Sequence, residues 1–373
     1  MRSLFEPATI GGIFLRNRIV RSATWEGMCD GRGAPTERLL SLYETLAEEG
    51  VGLILTGYAF VLPEGKQTPG KMAMDDDALV PSLREMTRRV HAKGGKIAAQ
   101  LVHAGGQASR GVSGHPPVGP SAVFLPHYEE EPRPLSVEGI GRIVGAFARA
   151  AARAKEAGFD GVQLHGAHGY LLGQFLSSRT NRREDGYGGS LANRARFPLE
   201  VVEAVKGAVG AEYPVWIKLN GEDFLDGGIS LRESSETARI LERAGIDAIE
   251  VSGGTPGSGD RSAARTRIDS LEKEAYHRNL ARVVKEGVRV PVGVVGGLRS
   301  PLLLEEILSS GDADFVSMSR PFIREPGLIR RWMAGDTARA SCISCNGCFL
   351  PGLKEGGIYC VVEKKLRERT AGS

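Results

Sequence analysis

The chain has 373 residues, more than a typical compact domain, yet α/β barrels routinely run past ~250 residues as one unit. Hydrophobic residues make up 41% and charged residues 25%, which excludes the low-hydrophobicity, high-charge regime of disordered chains. Forty-eight basic against 45 acidic residues leave a formal charge of only +3, so no global field exists to attract nucleic acid or an anionic membrane. The opening Met1 to Pro7 lacks an apolar signal stretch, and no window approaches ~20 uninterrupted apolar residues; a cytoplasmic protein is the expectation.

In chain order, short β-branched runs alternate with stretches of helical period, the mark of βα units in a parallel sheet. The strands are predicted at Ile19 to Ala23, Leu53 to Gly57, Lys96 to Leu101, Gly161 to His165, Val215 to Leu219, Ala248 to Ser252, Val292 to Gly296 and Phe315 to Ser319. Helices are predicted between them at Glu37 to Glu49, Leu83 to Lys93, Val137 to Ala157, Ala192 to Val209, Leu231 to Ala244 and Pro301 to Ser309. Gly50, Gly94, Gly158, Gly245 and Gly311 stand where left-handed C-caps belong. Eight strands, with no Gly-x-Gly-x-x-Gly turn after the first, point to a closed (β/α)8 TIM barrel over residues 1–335. Residues 336–373 form a short Cys-rich C-terminal extension.

Barrel chemistry gathers at the C-terminal strand ends. There the chain places Ser22, Ala23, Thr24 and Trp25, then Gly57, Gln100 and His103, and Lys218. Gly296, Gly297, Ser319 and Arg320 end the last two strands, where bare amides and a guanidinium grip a phosphate; a plain Gly-Gly turn is the blander alternative. The sharpest local signal is His165-Gly-Ala-His168-Gly-Tyr170. Two imidazoles three apart at a strand-to-helix junction can hold one carbonyl oxygen, and the phenol can deliver a proton. The same pair with His103 would equally serve a metal-dependent barrel hydrolase.

The run from His165 through Gln174, continued by Arg179-Thr-Asn181 and Gly188-Gly189-Ser190 to Asn193-Arg194 and Phe197, resembles the signature of the Old Yellow Enzyme family of FMN-dependent ene-reductases. Asn17-Arg18, Gln100-Leu-Val-His103 and Asp226-Gly227-Gly228 extend the resemblance over nearly the whole chain. It implies FMN at the barrel mouth, with Ser22, Ala23, Thr24, Gly57, Gln100, His165 and Lys218 around the ring and Gly296, Gly297, Ser319 and Arg320 on the phosphate. It implies NAD(P)H as electron donor and an enone-type small-molecule substrate, its carbonyl held by His165 and His168 and its proton given by Tyr170. Trp25 stands where relatives carry Cys, Thr or His, and with Tyr276 it is expected in the substrate pocket. A homo-oligomer is compatible with the resemblance.

Cys342, Cys345, Cys348 and Cys360 supply four thiols in the compact spacing of an iron–sulfur or zinc site. The segment resembles that of the trimethylamine dehydrogenase and 2,4-dienoyl-CoA reductase branch, which implies a [4Fe-4S] cluster, and an iron–sulfur flavoprotein dehydrogenase or demethylase acting on amines or enoyl thioesters as an alternative activity. With the sequence ending at Ser373, an external electron-transfer protein docking near these cysteines and a merely structural remnant are both expected readings.

Overall fold

The structure, a computed structural model, describes residues 3–371; the ends of the stretches Met1 to Pro7 and 336–373 lie outside it. Eight strands close a parallel barrel: β1 (Ile19–Arg21), β2 (Leu53–Leu55), β3 (Ile97–Val102), β4 (Gly161–Gly166), β5 (Val215–Asn220), β6 (Ala248–Ser252), β7 (Val292–Val295) and β8 (Phe315–Met318). β8 pairs with β1, completing the ring. Each predicted strand lies at its expected place, and the predicted helices recur as Glu37–Glu48, Val80–Ala92, Val137–Glu156, Arg196–Val209, Leu231–Arg243 and Pro301–Ser309. The five capping glycines all have positive φ, as a left-handed cap requires. Sequence reading missed a two-residue strand, Ala59–Phe60, lying beside β3, and the helix Arg278–Glu286.

The barrel interior is layered. At its N-terminal end a hairpin of Ala8–Ile10 and Ile13–Leu15 packs Ile10, Ile13 and Leu15 with Leu53, Trp216, Ala248 and Phe315 as one apolar plug. The Trp216 indole N–H donates to the Gly11 carbonyl at 3.0 Å. A Cβ on Gly11, where φ is +51°, would lie 2.4 Å from that indole nitrogen, so the turn needs glycine.

One strand pleat higher, the inward positions turn polar. Gln100 donates to Gln163 at 2.6 Å and Gln163 to Glu250 at 3.0 Å. Lys218 reaches Glu250 at 3.1 Å and donates to Ser22 at 2.8 Å. All five are buried. Burying two charges is tolerable only because each meets an opposite charge and further hydrogen bonds.

Candidate active site

Above this belt the strand ends surround a cavity of about 320 Å³. Ser22, Ala23, Thr24, Trp25, His168, Tyr170, Lys218, Tyr276, Gly296, Gly297, Ser319 and Arg320 all line it, together with Tyr58 and with Ser252, whose place there no sequence signal indicated. His165, Gly57 and Gln100 are not in its wall. His165 lies just beneath, its ring centroid 5.1 Å from that of His168 and 4.7 Å from that of Tyr170. Gly57 serves a different neighbour: a Cβ there would lie 2.0 Å from the Glu26 carboxylate. Gln100 belongs to the polar belt, with its Oε1 buried and lacking a hydrogen-bond partner.

The His165 to Tyr170 geometry follows from its backbone. His168 and Gly169 have φ of +60° and +72°, and this double left-handed turn reverses the chain between β4 and the short helix Leu171–Leu176. A left-handed His is strained, and such strain concentrates at functional sites. The turn is held by the His168 amide donating to Asn220 Oδ1 at 3.1 Å and by Gln107 donating to the His168 and Gly169 carbonyls at 2.9 and 2.6 Å.

Burial first, then neighbouring cations that include Lys218, pushes both imidazoles well below their usual 6.5. Both are therefore neutral near pH 7, each with one N–H. The Ala167 amide donates to His165 Nδ1 at 3.3 Å, leaving the proton on Nε2. His168 Nε2 lies 2.8 Å from Ser252 Oγ; with that hydroxyl donating, Nδ1 carries the proton. Tyr170 donates to Gln67 Oε1 at 2.8 Å, and burial raises its phenol well above 10.

His103 does not join the pair. Its ring packs against Gly65, its Nδ1 accepts from the Gly105 amide at 3.1 Å, and burial lowers it to about 4. Among the described residues no three His, Cys, Asp or Glu side chains are grouped to hold a metal ion. The hydrolase reading thus loses its metal site.

The anion end of the cavity fits a phosphate. Gly296 and Gly297 have φ of +147° and +69°, and a Cβ on either would come within 2.8 Å of the Tyr276 ring. Their amides stay bare beside Ser319 and Arg320, a nest for an anion. Together with the partnerless Gln100 Oε1, this is a donor and acceptor set that suits a flavin mononucleotide.

The four C-terminal cysteines line one small second cavity, which shares Arg320 with the first. Ser344 and Asn346 between them have φ of +55° and +59°, coiling the loop. Burial raises Cys342, and raises Cys348 to about 11. Arg320 donates to Asn346 Oδ1 at 2.6 Å, tying this loop to the anion end. Ser344 and Phe349 also line the first cavity.

Residues 3–337 match the model of the NADH:flavin oxidoreductase / NADH oxidase family. The chain belongs to that family. The family takes its name from flavin-linked, NADH-using oxidoreductases. It is 39% identical over 351 residues to an NADH oxidase of Thermoanaerobacter brockii and 38% identical over 364 residues to a metal reductase of Desulforamulus reducens. The alignments cover 93% and 97% of this chain but 53% of each relative, so the chain spans about half their length. A 4,4'-dithiodibutanoate disulfide reductase of Rhodococcus erythropolis is 33% identical, with 99% of this chain and 97% of that protein covered. Among solved structures, 2-naphthoyl-CoA reductase superposes with a TM-score of 0.90 at 28% identity, over 96% of this chain and 56% of that one. The Old Yellow Enzyme homologue of Zymomonas mobilis superposes at 0.77 and 28%, over 90% and 94%. In this family member no helix among the described residues is long and apolar enough to cross a membrane.

Proposed function

We propose that the chain reduces the C=C bond of α,β-unsaturated carbonyl compounds with FMN as its resident redox group. The observation that carries this reading is the placement of two neutral imidazoles and one phenol at the cavity and just beneath it, with the His165 ring 5.1 Å from that of His168 and 4.7 Å from that of Tyr170. Ser22, Ala23, Thr24 and Lys218 would hold the isoalloxazine ring, with Gln100 in the belt beneath it, and Gly296, Gly297, Ser319 and Arg320 the phosphate. When bound, FMN supplies two-electron storage between a nicotinamide donor and a carbon acceptor.

The protein's own residues do the rest. His165 Nε2–H and His168 Nδ1–H donate to the substrate carbonyl oxygen, drawing electron density from the β-carbon as negative charge builds on that oxygen. Because both rings are neutral, they donate without placing a repelling cation beside Lys218. Tyr170 then provides the proton that the α-carbon needs. Trp25, fixed by its indole N–H donating to the Pro69 carbonyl at 3.2 Å, walls the pocket with Tyr276 and favours a flat or apolar substrate body. The aroyl thioester in the name of one structural neighbour belongs to the same carbonyl class.

The test is anaerobic. FMN-loaded protein bleached with NADH or NADPH should regain its absorbance on addition of 2-cyclohexenone. Recovery with a disulfide but with no enone or enoyl thioester would overturn the reading.

A second reading rests on a separate observation, the four thiols on one cavity beside Arg320. Among the described residues no three of these thiols are drawn together closely enough to hold a metal ion, so Cys342, Cys345, Cys348 and Cys360 would hold a [4Fe-4S] cluster, a group suited to exchanging electrons with a redox partner, only after their loop closes further around it. Anaerobically prepared protein should contain about four iron and four acid-labile sulfide per chain; a metal-free or zinc-bearing preparation would count against the cluster.

A further inference from the structure

Lys71 is 1% exposed, and its ammonium nitrogen is buried with no hydrogen-bond partner. Lysines ordinarily extend their charge to water, and those that cannot are paired. Lys71 has neither outlet, and no carboxylate among the described residues forms an ion pair with it. The backbone on both sides explains why it cannot escape. The Cys29 amide donates to the Gly70 carbonyl at 3.1 Å and the Phe60 amide to the Met72 carbonyl at 3.1 Å. A Cβ on Gly70 would lie 2.8 Å from the Gly27 backbone.

What Lys71 does face is aromatic. Its Nζ stands 3.7 Å from the centroid of the Tyr58 ring and 6.0 Å from that of Tyr170. Those two rings are 5.5 Å apart, and both hydroxyls donate to one acceptor, Gln67 Oε1, at 3.2 and 2.8 Å. This arrangement suits two neutral phenols. Once Tyr170 gives up its proton, its oxygen faces the Gln67 carbonyl oxygen, and that network offers it only the neutral Tyr58 hydroxyl as a donor and no cation.

We infer that Lys71 is a positioning residue for proton delivery, its ammonium balancing the phenolate left when Tyr170 hands its proton to the substrate. The inference rests on the carbonyl-reduction reading above. In that step the Tyr170 O–H bond breaks and a C–H bond forms at the α-carbon, while the β-carbon receives the hydride equivalent originating from NAD(P)H. The O–H electron pair stays on the phenolate, and water entering by the mouth restores the proton. A unit charge about 6 Å away is strong where water is excluded. The face of Tyr58 offers the waiting ammonium a cation–π contact, which accounts for its position over a ring rather than beside a carboxylate.

The charged and titratable groups around Lys71 fix the sign of the pH effect. They are Lys66 on its own loop, Tyr58 before the short strand Ala59–Phe60, Tyr170 at the head of helix Leu171–Leu176, and His165 on β4. Glu26 also acts on Tyr58, but it is engaged by Arg21 and Tyr43. Burial, and then Lys66, hold Lys71 well below the ordinary 10.5. The ammonium is the supporting form, so alkene reduction falls as pH rises through this lowered ionisation.

The experiment compares Lys71→Met and Lys71→Arg with the wild type, all FMN-loaded, in separate half-reactions. Lys71→Met should slow reoxidation by 2-cyclohexenone by about tenfold or more and lose the alkaline limb, while flavin bleaching by NADH changes little. Lys71→Arg, charged throughout, should keep the rate and carry the limb above the lysine range. Tyrosinate absorbance of the flavin-free protein gives a readout independent of turnover: Lys71→Met should move the most readily ionised buried tyrosine upward by about one pH unit or more. An unchanged titration and limb in Lys71→Met would overturn the inference, as would a wild-type limb in Lys71→Arg should the Met variant fail to fold. Tyr170→Phe separates the two readings. If it reduces enone at the wild-type rate, the carbonyl-reduction reading fails by itself; if it is slow while both Lys71 variants behave as wild type, only the role of Lys71 fails.

Discussion

Replacing His168 with alanine should slow reoxidation of the reduced flavoprotein by an enone on the order of 10²–10³-fold, the usual cost of removing one preorganised donor from a developing oxyanion. Bleaching by NADH should change far less, because hydride arriving from the nicotinamide needs no carbonyl polarised. Binding of phenols, which present an oxygen to the same two N–H groups, should weaken in parallel. The substitution has a backbone side effect: His168 sits at φ +60°, where alanine is strained and asparagine is at ease. His168→Asn therefore serves as the companion variant, keeping the turn and one donor, and should retain more activity than His168→Ala. Both imidazoles titrate well below 6.5 in the fold. They stay neutral as pH rises above that value and become cations only well below it, so neither variant should alter the pH profile between neutral and mildly alkaline conditions. Equal enone kinetics in wild type and His168→Ala would end the assignment.

The second large effect is on the polar belt. Glu250→Leu removes the carboxylate that, among the described residues, pairs with Lys218 and accepts from Gln163, leaving a buried ammonium held by Ser22 alone and a buried amide N–H without its acceptor. Such a break costs about 3–5 kcal/mol, and the urea midpoint should fall accordingly. The double variant Lys218→Met/Glu250→Leu should regain much of that stability, since apolar groups of similar volume often replace a buried ion pair without loss. It should nonetheless bind FMN weakly, because Lys218 lines the cavity beside Ser22. Stability and cofactor retention thus part company in the double variant; if they recover together, Lys218 is scaffold and not a flavin contact.

The barrel was legible in the sequence because its signals are local. Strand and helix periods and glycine caps are written within a few residues of where they act, and the His165 to Tyr170 turn is one continuous stretch. The belt was harder to see. Glu250 stands in Ala-Ile-Glu-Val-Ser, and alternation with Ala248 and Ser252 would have placed it inward, but only closure of the ring brings Gln163 and Lys218 to it. Gly57 looked like a flavin contact because it ends a strand; its bareness in fact makes room for Glu26, a relation set by the Arg21 and Tyr43 bonds. His103 shows the converse: a histidine at a strand end whose ring the neighbouring loop turns aside. Lys71 gave no signal at all, since nothing in Gly-Lys-Met tells that both flanking carbonyls will be captured from other segments.

The hairpin that seals the N-terminal end has a kinetic consequence. With Trp216, Phe315 and the Ile10 and Ile13 side chains filling that end, traffic to the barrel interior runs through a single doorway at the opposite face. Under the proposed activity, reductant and oxidant would queue for the same threshold, and an excess of either one would obstruct the other.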